Sequence, residues 1–500
     1  MIAPGPASAT PAAPEPDPEP EYGAKSFDVF HRKYEKTFEG EVDIDGAPVT
    51  FRMAWGGTTA QGAIGISSDP SPKWKLLHST SLRDMCACAA CRDPSSGQKK
   101  FRTTRIPLDI SVRDVRQSEQ GLSFTFDRDV EGYEDGVHET TVPWSHVNEW
   151  IDRRLATPTP MAAVGERYPW TSGELGGDSG GGIRKFDFEN YMKDDETMWN
   201  AVIDLRELGI TIVKNVPRDE DAVVDITTRI ANIRETLYGR TFDVRAKPDA
   251  ENVAYTSEAL DLHQDLLYLQ VPPKIQVLHC IDNSCEGGES IFSDSYRAGR
   301  LLWLFRDRLG VQHLGNTRVP YAYDKFGHNY RTLRRVLATS KVSERLPPEF
   351  ANVWWSPPFQ GSVKMPVWNF HDWIQAARVL ESLVADPAAT WTYKLEEGEC
   401  VLFDNVRVLH GRRAFQPEKG GARWLRGAYI APDDFASRAS QVPPELLREY
   451  RSGGRFGDVG DARRRFVKPW EEGNPEIAQV ERMIDGVQTV NDTEPIVEDK

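Results

Sequence analysis

The sequence predicts a mainly β chain with helical insertions, of the α+β class, built as a small β-rich unit followed by a larger one. Three observations predict it. Short alternating runs of strand character recur through both halves and outnumber helix-like stretches. The 39 Gly and 34 Pro promise many loops, while 14 Trp, 15 Tyr and 21 Phe are too many large apolar side chains for a mainly disordered chain. Finally, a Pro-, Gly- and Ser-rich interval at 157–185, including Gly176-Gly-Asp-Ser-Gly-Gly-Gly-Ile, reads as a linker. At 500 residues the chain is long enough for two such domains with tails.

Residues 1–25, with seven prolines before Tyr22, cannot bury enough surface to offset the entropy of ordering and are expected to be a disordered tail. The first unit spans 26–156. In it 41–45 and 49–53 alternate as strands, 56–72 reads as a Gly/Ser/Pro-rich loop, 106–112 and 122–126 read as strands, and 147–155 reads as a helix. The second spans 186–450. It opens with a helix near 192–208, a strand at 210–216 and an apolar-periodic helix at 219–238. Strand-like runs then follow at 260–271, 275–281, 290–294, 400–404 and 424–430, with helical inserts near 295–309 and 371–385. Beyond 451 periodicity fades, and 451–500 is expected to be an acidic, weakly structured tail.

With 61 Lys+Arg against 76 Asp+Glu, the formal charge is −15. Residues 1–25 contribute −3 of this and 471–500 contribute −7, leaving −5 between them. A field of that sign repels phosphate backbones and anionic lipid, so neither nucleic acid nor a membrane surface is an expected partner. No run approaches eighteen apolar residues, and the N-terminus lacks both a secretory signal and the arginines of a transit peptide. Six cysteines are too few for a disulfide framework. Together these features favour a reducing, cytoplasmic setting.

Three of those cysteines fall in Cys86-Ala-Cys88-Ala-Ala-Cys91. Thiolates are soft ligands, and three within six residues can close on one tetrahedral ion, for which zinc is the natural occupant. The fourth ligand is His146 or His138; His146 is preferred because Val142, Trp144 and Val147 flank it with apolar surface. The bland alternative is three small apolar side chains. Four protein ligands would make the site structural. The other cysteines, Cys280, Cys285 and Cys400, read as ordinary reduced thiols.

In Leu262-His263-Gln264-Asp265, alternation along a strand would put His263 and Asp265 on one face. Chance alone gives about one such pair in a chain of this composition. His410, in Phe403-Asp-Asn-Val-Arg-Val-Leu-His-Gly-Arg, supplies a third donor in the same domain. Two histidines and one carboxylate leave three coordination positions open, the arrangement of non-haem Fe(II) oxygenases.

Taken in order, Asn252-Val-Ala-Tyr-Thr, His263-x-Asp265, Ile275-Gln-Val-Leu-His-Cys-Ile, Gly287-Gly and the run ending at His410-Gly-Arg resemble the γ-butyrobetaine and trimethyllysine dioxygenase family of 2-oxoglutarate-dependent oxygenases, with a TauD-like fold. The resemblance covers about residues 27–440 and includes the small N-terminal domain. It implies a distorted double-stranded β-helix (jelly roll) holding Fe(II) through His263, Asp265 and His410, and a zinc site at Cys86, Cys88, Cys91 and His146. It also implies that 2-oxoglutarate chelates the iron while an arginine thirteen residues beyond the distal histidine, here Arg423, pairs with its far carboxylate, with ascorbate as a reductant and often a homodimer. A guanidinium fork suits a carboxylate. Arg423 shares a strand face with Tyr429, Arg426 lies on the other, and Arg412 and Arg413 read as surface or structural pairs.

The family's substrates carry a trimethylammonium group, which aromatic faces attract. The matching positions are Tyr238, Phe242, Tyr255 and Tyr429, with Asn252 placed for a substrate carboxylate or as a turn cap. Two departures matter. The butyrobetaine enzymes have tryptophan where this chain has Phe242, and tyrosine where it has Leu266; Leu266-Leu-Tyr268 is closer to the trimethyllysine enzymes. The resemblance therefore implies a dioxygenase that uses O₂ to hydroxylate a small molecule, with γ-butyrobetaine to L-carnitine placed first and trimethyllysine or a specialised metabolite second. A non-catalytic, zinc-stabilised interaction protein is the alternative from a different class.

Overall fold

The computed structural model describes residues 35–44, 47–56, 63–68, 71–151, 167–176, 182–245, 257–340, 349–416, 419–452 and 475–491. The 1–25 segment lies outside them. The chain divides into two compact units, Met1–Pro158 and Thr159–Lys500.

The first unit carries two antiparallel sheets. Strands β1 (Lys36–Ile44), β2 (Ala47–Trp55), β3 (Ala63–Ser68) and β4 (Ser71–His78) form a meander, and β5 (Ser111–Ser118), β6 (Gly121–Asp127) and β7 (Thr140–Pro143) form a second. Their core is aromatic and β-branched, with Phe51, Phe124, Phe126 and Val142 fully buried. Two expectations are corrected here. The interval read as a loop at 56–72 contains β3, whose Ile64 and Ile66 are buried against that core. The strand expected at 106–112 begins only at Ser111; Ile106 and Ile110 are buried but follow a 3₁₀ turn at Thr103–Arg105, so their spacing reflects burial rather than a ladder.

The second unit is a jelly roll of two facing antiparallel sheets. Its major sheet runs β10 (Phe242–Val244), β21 (Arg423–Ile430), β12 (Ile275–Asn283), β19 (Cys400–Asp404), β9 (Ile210–Lys214), β8 (Lys185–Asp187), with only β8 and β9 parallel. The minor sheet runs β11 (Leu260–His263), β20 (Val408–Arg412), β13 (Ser290–Asp294), β18 (Thr390–Tyr393), and between β13 and β18 the chain forms two antiparallel pairs, β14 (Arg318–Lys325) with β15 (His328–Arg335) and β16 (Leu337–Ser340) with β17 (Glu349–Val353). Phe292 on β13 meets Phe403 on β19 edge to face at 5.5 Å, closing the sheets on each other. Strand β12 is buried along almost its whole length, because one face meets the inter-sheet space and the other meets helices Asp195–Glu207, Ala222–Ile230 and Pro432–Ala439. That double burial is why it reads as a continuous apolar run.

Other expectations shift in instructive ways. The helix expected at 219–238 stops at Ile230, where Ala231 turns extended and Ile233 bridges to Ile430, so the later apolar residues serve the sheet edge. Within the presumed linker, 167–176 is ordered: Trp170 is fully buried and donates its indole N–H to the Leu208 carbonyl at 2.8 Å. The weakly structured tail is also corrected, since Pro475–Asn491 is a helix. Its Val480 and Ile484 are buried one turn apart, and Glu476 pairs with Arg297 at 2.6 Å. Among the described residues no helix is long and apolar enough to cross a membrane.

Candidate active site

Strands β11 and β20 set the first two donors. Their antiparallel register pairs His263 with His410, and the imidazole centroids lie 4.3 Å apart. Close approach of the strands needs Gly411, because a Cβ there would stand 2.6 Å from the Leu260 carbonyl oxygen. Asp265 reaches the histidines differently from the expected strand alternation: β11 ends at His263, and Leu266 adopts φ 61°. The loop is held by amide clamps instead. Gln264 exchanges hydrogen bonds with residues 353 and 355, while Asn405 accepts from the Asp265 N–H at 2.8 Å and donates to its carbonyl at 3.1 Å. Asn405 escaped sequence reasoning, although it lies within the same Phe403-Asp-Asn run that led to His410.

The side-chain donors of His263, Asp265 and His410 all lie within 4.8 Å of one another. Asp265 Oδ1 is 3.3 Å from His263 Nε2, Oδ2 is 3.8 Å from His410 Nε2, and the Tyr429 hydroxyl donates to Oδ2 at 2.7 Å. Burial by itself would raise the Asp265 pKa. Hydrogen bonds from His263 and then from the Tyr429 hydroxyl outweigh it and hold the carboxyl well below the usual range. His263 Nδ1 faces the Asp261 carbonyl at 2.8 Å, a partner that orients the ring and turns Nε2 toward Asp265 and the point where a metal would sit. Burial, then the adjacent His263, pushes His410 down to about 3, so it is a neutral imidazole. An ionised carboxylate and two imidazole nitrogens form a donor set suited to a divalent transition metal.

A cleft of about 700 Å³, its mouth included, opens over these donors. Arg423, on β21, is buried at its wall; its Nε donates to the Gly288 carbonyl at 3.2 Å, and no carboxylate among the described residues is paired with it. Arg426 points elsewhere, to Asp243 at 2.9 Å and Glu220 at 3.1 Å. Arg412 is buried and donates to the Glu258 carbonyl at 2.6 Å, a structural rather than a surface pairing, and β20 carries it to the cleft wall beside the Phe415 ring. Arg413 is exposed. Tyr238, Phe242 and Tyr429 line one wall, with Phe242 stacked on Tyr429 at 4.8 Å and 18°; Tyr268 meets the Tyr238 hydroxyl at 3.3 Å. Asn252 and Tyr255 lie outside the described residues.

A second donor cluster lies in the first unit and corrects the preferred histidine. Cys86, Cys88 and Cys91 surround His138, whose Nε2 is 3.6, 3.4 and 3.3 Å from their sulfurs; His146 is exposed on the helix Trp144–Ile151 and takes no part. The apolar flanks of His146 bury its neighbour Val147 rather than its own ring. Around a tetrahedral zinc with Zn–S about 2.3 Å and Zn–N about 2.0 Å, sulfur and nitrogen stand about 3.5 Å apart, which these four atoms satisfy. Sequence reasoning also missed the support behind them. Asp129 Oδ2 lies 3.3 Å from His138 Nδ1, and buried Arg83 contacts both Asp129 at 2.5 Å and Cys91 at 3.3 Å, its guanidinium between Phe101 and Tyr133. Asp129 and then Cys86 draw His138 up to about 11. Cys86, raised by burial but lowered more by His138, comes down to about 6 and is a ready thiolate.

The chain is similar to known proteins over both units. The family "Taurine catabolism dioxygenase TauD, TfdA family" matches residues 172–429, and "Gamma-butyrobetaine hydroxylase-like, N-terminal" matches 63–142. Dioxygenase str8 of Strobilurus tenacellus is 32% identical over 379 residues, covering 72% of this chain and 84% of its own. Gamma-butyrobetaine dioxygenase of Pseudomonas sp. (strain AK-1) is 30% identical over 363 residues, covering 72% and 89%. Mitochondrial trimethyllysine dioxygenase of Mus musculus is 26% identical over 366 residues, covering 72% and 80%. Among solved structures, PvcB of Pseudomonas aeruginosa aligns over 51% of this chain and 90% of that one, at 16% identity and a TM-score of 0.36. With the catalytic-family match spanning half the sequence and a relative of 32% identity aligned along most of its own length, the chain belongs to the TauD/TfdA family, in its γ-butyrobetaine hydroxylase-like group, and is an Fe(II)- and 2-oxoglutarate-dependent dioxygenase.

Proposed function

We propose that His263, Asp265 and His410 hold the iron, that Arg423 binds the far carboxylate of 2-oxoglutarate, and that the substrate lies against Tyr238, Phe242 and Tyr429 as the cleft hydroxylates one of its C–H bonds. The observation that carries this reading is the convergence of the three donors at the base of a cleft whose wall holds a buried arginine with no carboxylate partner among the described residues. Supplied with O₂, Fe(II) and 2-oxoglutarate provide the oxidation that turns C–H into C–OH, releasing succinate and CO₂. The chain contributes position. Asn405 and Gln264 fix the loop that carries Asp265, the Asp261 carbonyl orients the ring of His263, and Leu266, Leu278 and Phe292 exclude water around the reacting region.

For the substrate, γ-butyrobetaine is our first reading, supported by the aromatic wall and by the Pseudomonas relative that bears that substrate's name. One observation favours a second reading, a trimethyllysine or specialised-metabolite substrate. Phe242 and Tyr429 stack directly on each other and so offer one continuous wall in place of two separated faces. The Cys86, Cys88, Cys91 and His138 cluster is proposed as a closed, structural zinc site, supported by its tetrahedral spacing.

Purified protein given Fe(II), 2-oxoglutarate and, in turn, γ-butyrobetaine, trimethyllysine and neutral aromatic compounds will release succinate with a hydroxylated product. In His263→Ala that turnover is lost while the circular dichroism spectrum is kept; undiminished succinate release in that variant would sink the ligand assignment. Carnitine from γ-butyrobetaine supports the first substrate, and product from another compound alone reverses the order. Metal analysis separates the non-catalytic alternative: one tight zinc with no chelatable iron site would favour it.

A further inference from the structure

Tyr429 belongs to two parts of the cleft at once. Its ring forms half of the stacked wall with Phe242, and its hydroxyl is the donor to Asp265 Oδ2 at 2.7 Å. The sheet fixes both roles. On β21 Tyr429 lies opposite Gln276 of β12, and two residues earlier Gly427 lies opposite Phe242 of β10. A Cβ at Gly427 would stand 2.3 Å from the Phe242 ring, so the glycine is what lets that ring lie flat over the strand and reach Tyr429.

Asp265 is the one donor of the three that no strand holds. Its backbone is fixed by Asn405, but its carboxylate could still rotate and offer a metal either one oxygen or both. The Tyr429 hydroxyl occupies Oδ2 and so leaves Oδ1, the oxygen nearer His263 Nε2, as the free acceptor. An octahedral ion held by two imidazoles and one carboxylate oxygen keeps three positions for other ligands, whereas a two-toothed carboxylate would take one of them.

Building on the iron-ligand reading above, we propose that Tyr429 is a positioning residue that holds Asp265 to single-oxygen ligation and couples the substrate wall to the metal. A substrate stacked along Phe242 and Tyr429 fixes the ring, the ring fixes the hydroxyl, and the hydroxyl fixes the carboxylate. Metal and substrate then bind with positive coupling, and by linkage each tightens the other by the same factor.

The test uses the full, zinc-loaded chain and Mn(II), a redox-quiet stand-in for Fe(II), titrated by electron paramagnetic resonance with and without the substrate identified by the panel. Tyr429→Phe keeps the ring and removes the hydroxyl. It is expected to weaken Mn(II) binding by about 10- to 100-fold, the range for removing a ligand's supporting hydrogen bond, to abolish the tightening caused by substrate, and to change the visible absorption of the anaerobic Fe(II)–2-oxoglutarate complex. Phe242→Leu keeps the Tyr429 hydroxyl and serves as the comparison: the tightening by substrate is reduced, while the loss of Mn(II) affinity without substrate is smaller than in Tyr429→Phe. Wild-type Mn(II) affinity, wild-type tightening and an unchanged spectrum in Tyr429→Phe would overturn the proposal. If the wild-type chain itself binds no Mn(II) beyond its zinc, the iron-ligand reading fails instead.

Discussion

Burial pulls the Arg423 guanidinium down to about 9, with the neighbouring Arg412 charge adding to the effect, yet it stays protonated at neutral pH. A buried cation with only the Gly288 carbonyl against its Nε is poorly compensated, and a dicarboxylate entering the cleft would supply the missing charge. Removing one partner of such a pair costs about 3 kcal/mol or more, roughly a hundredfold in binding. Arg423→Gln is therefore expected to raise the KM for 2-oxoglutarate about a hundredfold while leaving zinc content unchanged. Arg423→Lys should recover part of the loss, because an ammonium keeps the charge but not the bidentate fork. A KM for 2-oxoglutarate that stays at the wild-type value in Arg423→Gln would move the carboxylate contact to Arg412.

At the scale of elements, strands that bury both faces were the easiest to read. The runs at 290–294 and 400–404 coincide with β13 and β19, and β21 begins one residue before its expected start. Apolar content alone locates such strands. What stayed hidden is held by long-range side-chain contacts: the loop carrying Asp265 depends on Asn405, 140 residues away, and no local pattern encodes that pairing. The cluster of three cysteines and a histidine, our proposed zinc site, teaches the same lesson. The Cys loop was plain from spacing, but the choice of His138 over His146 depends on Asp129, which β6 delivers from its C-terminal end. Asp129→Asn keeps the shape of that support and weakens its charge, so zinc affinity should fall by about 10- to 100-fold in competition with a colorimetric chelator. Equal affinity in the variant would show that the Cys loop alone holds the ion.

For the whole molecule, the acidity of the sequence resides mostly in its ends, and the stretch between them carries only −5. Acid sensitivity should consequently come from particular buried groups rather than from general repulsion. His279 on β12 is one: its ring is fully buried, neither nitrogen has a hydrogen-bond partner among the described residues, and burial pushes its pKa from 6.5 to about 4, the Asp219 carboxylate opposing and Arg218 reinforcing the shift. The folded chain keeps this ring neutral, whereas the unfolded chain protonates it near pH 6.5. Its contribution to stability is thus complete above about pH 6.5 and declines as the pH falls toward 4, with a slope of at most about 1.4 kcal/mol per pH unit. In His279→Leu, denaturant midpoints followed between pH 7 and 4.5 should decline less steeply than in the wild type; parallel curves would remove His279 from the acid response.

The unequal anchoring of the three proposed iron ligands has a consequence for metal identity. His263 and His410 stand on paired strands, whereas Asp265 keeps its place through side-chain contacts of its loop, those of Gln264, Asn405 and Tyr429 among them. A pair of imidazoles without the carboxylate favours the later ions of the first transition row, copper and nickel above all, over Fe(II). A slackened loop would leave a platform that mismetallates readily, so the contacts that steady Asp265 also guard the site against the wrong ion.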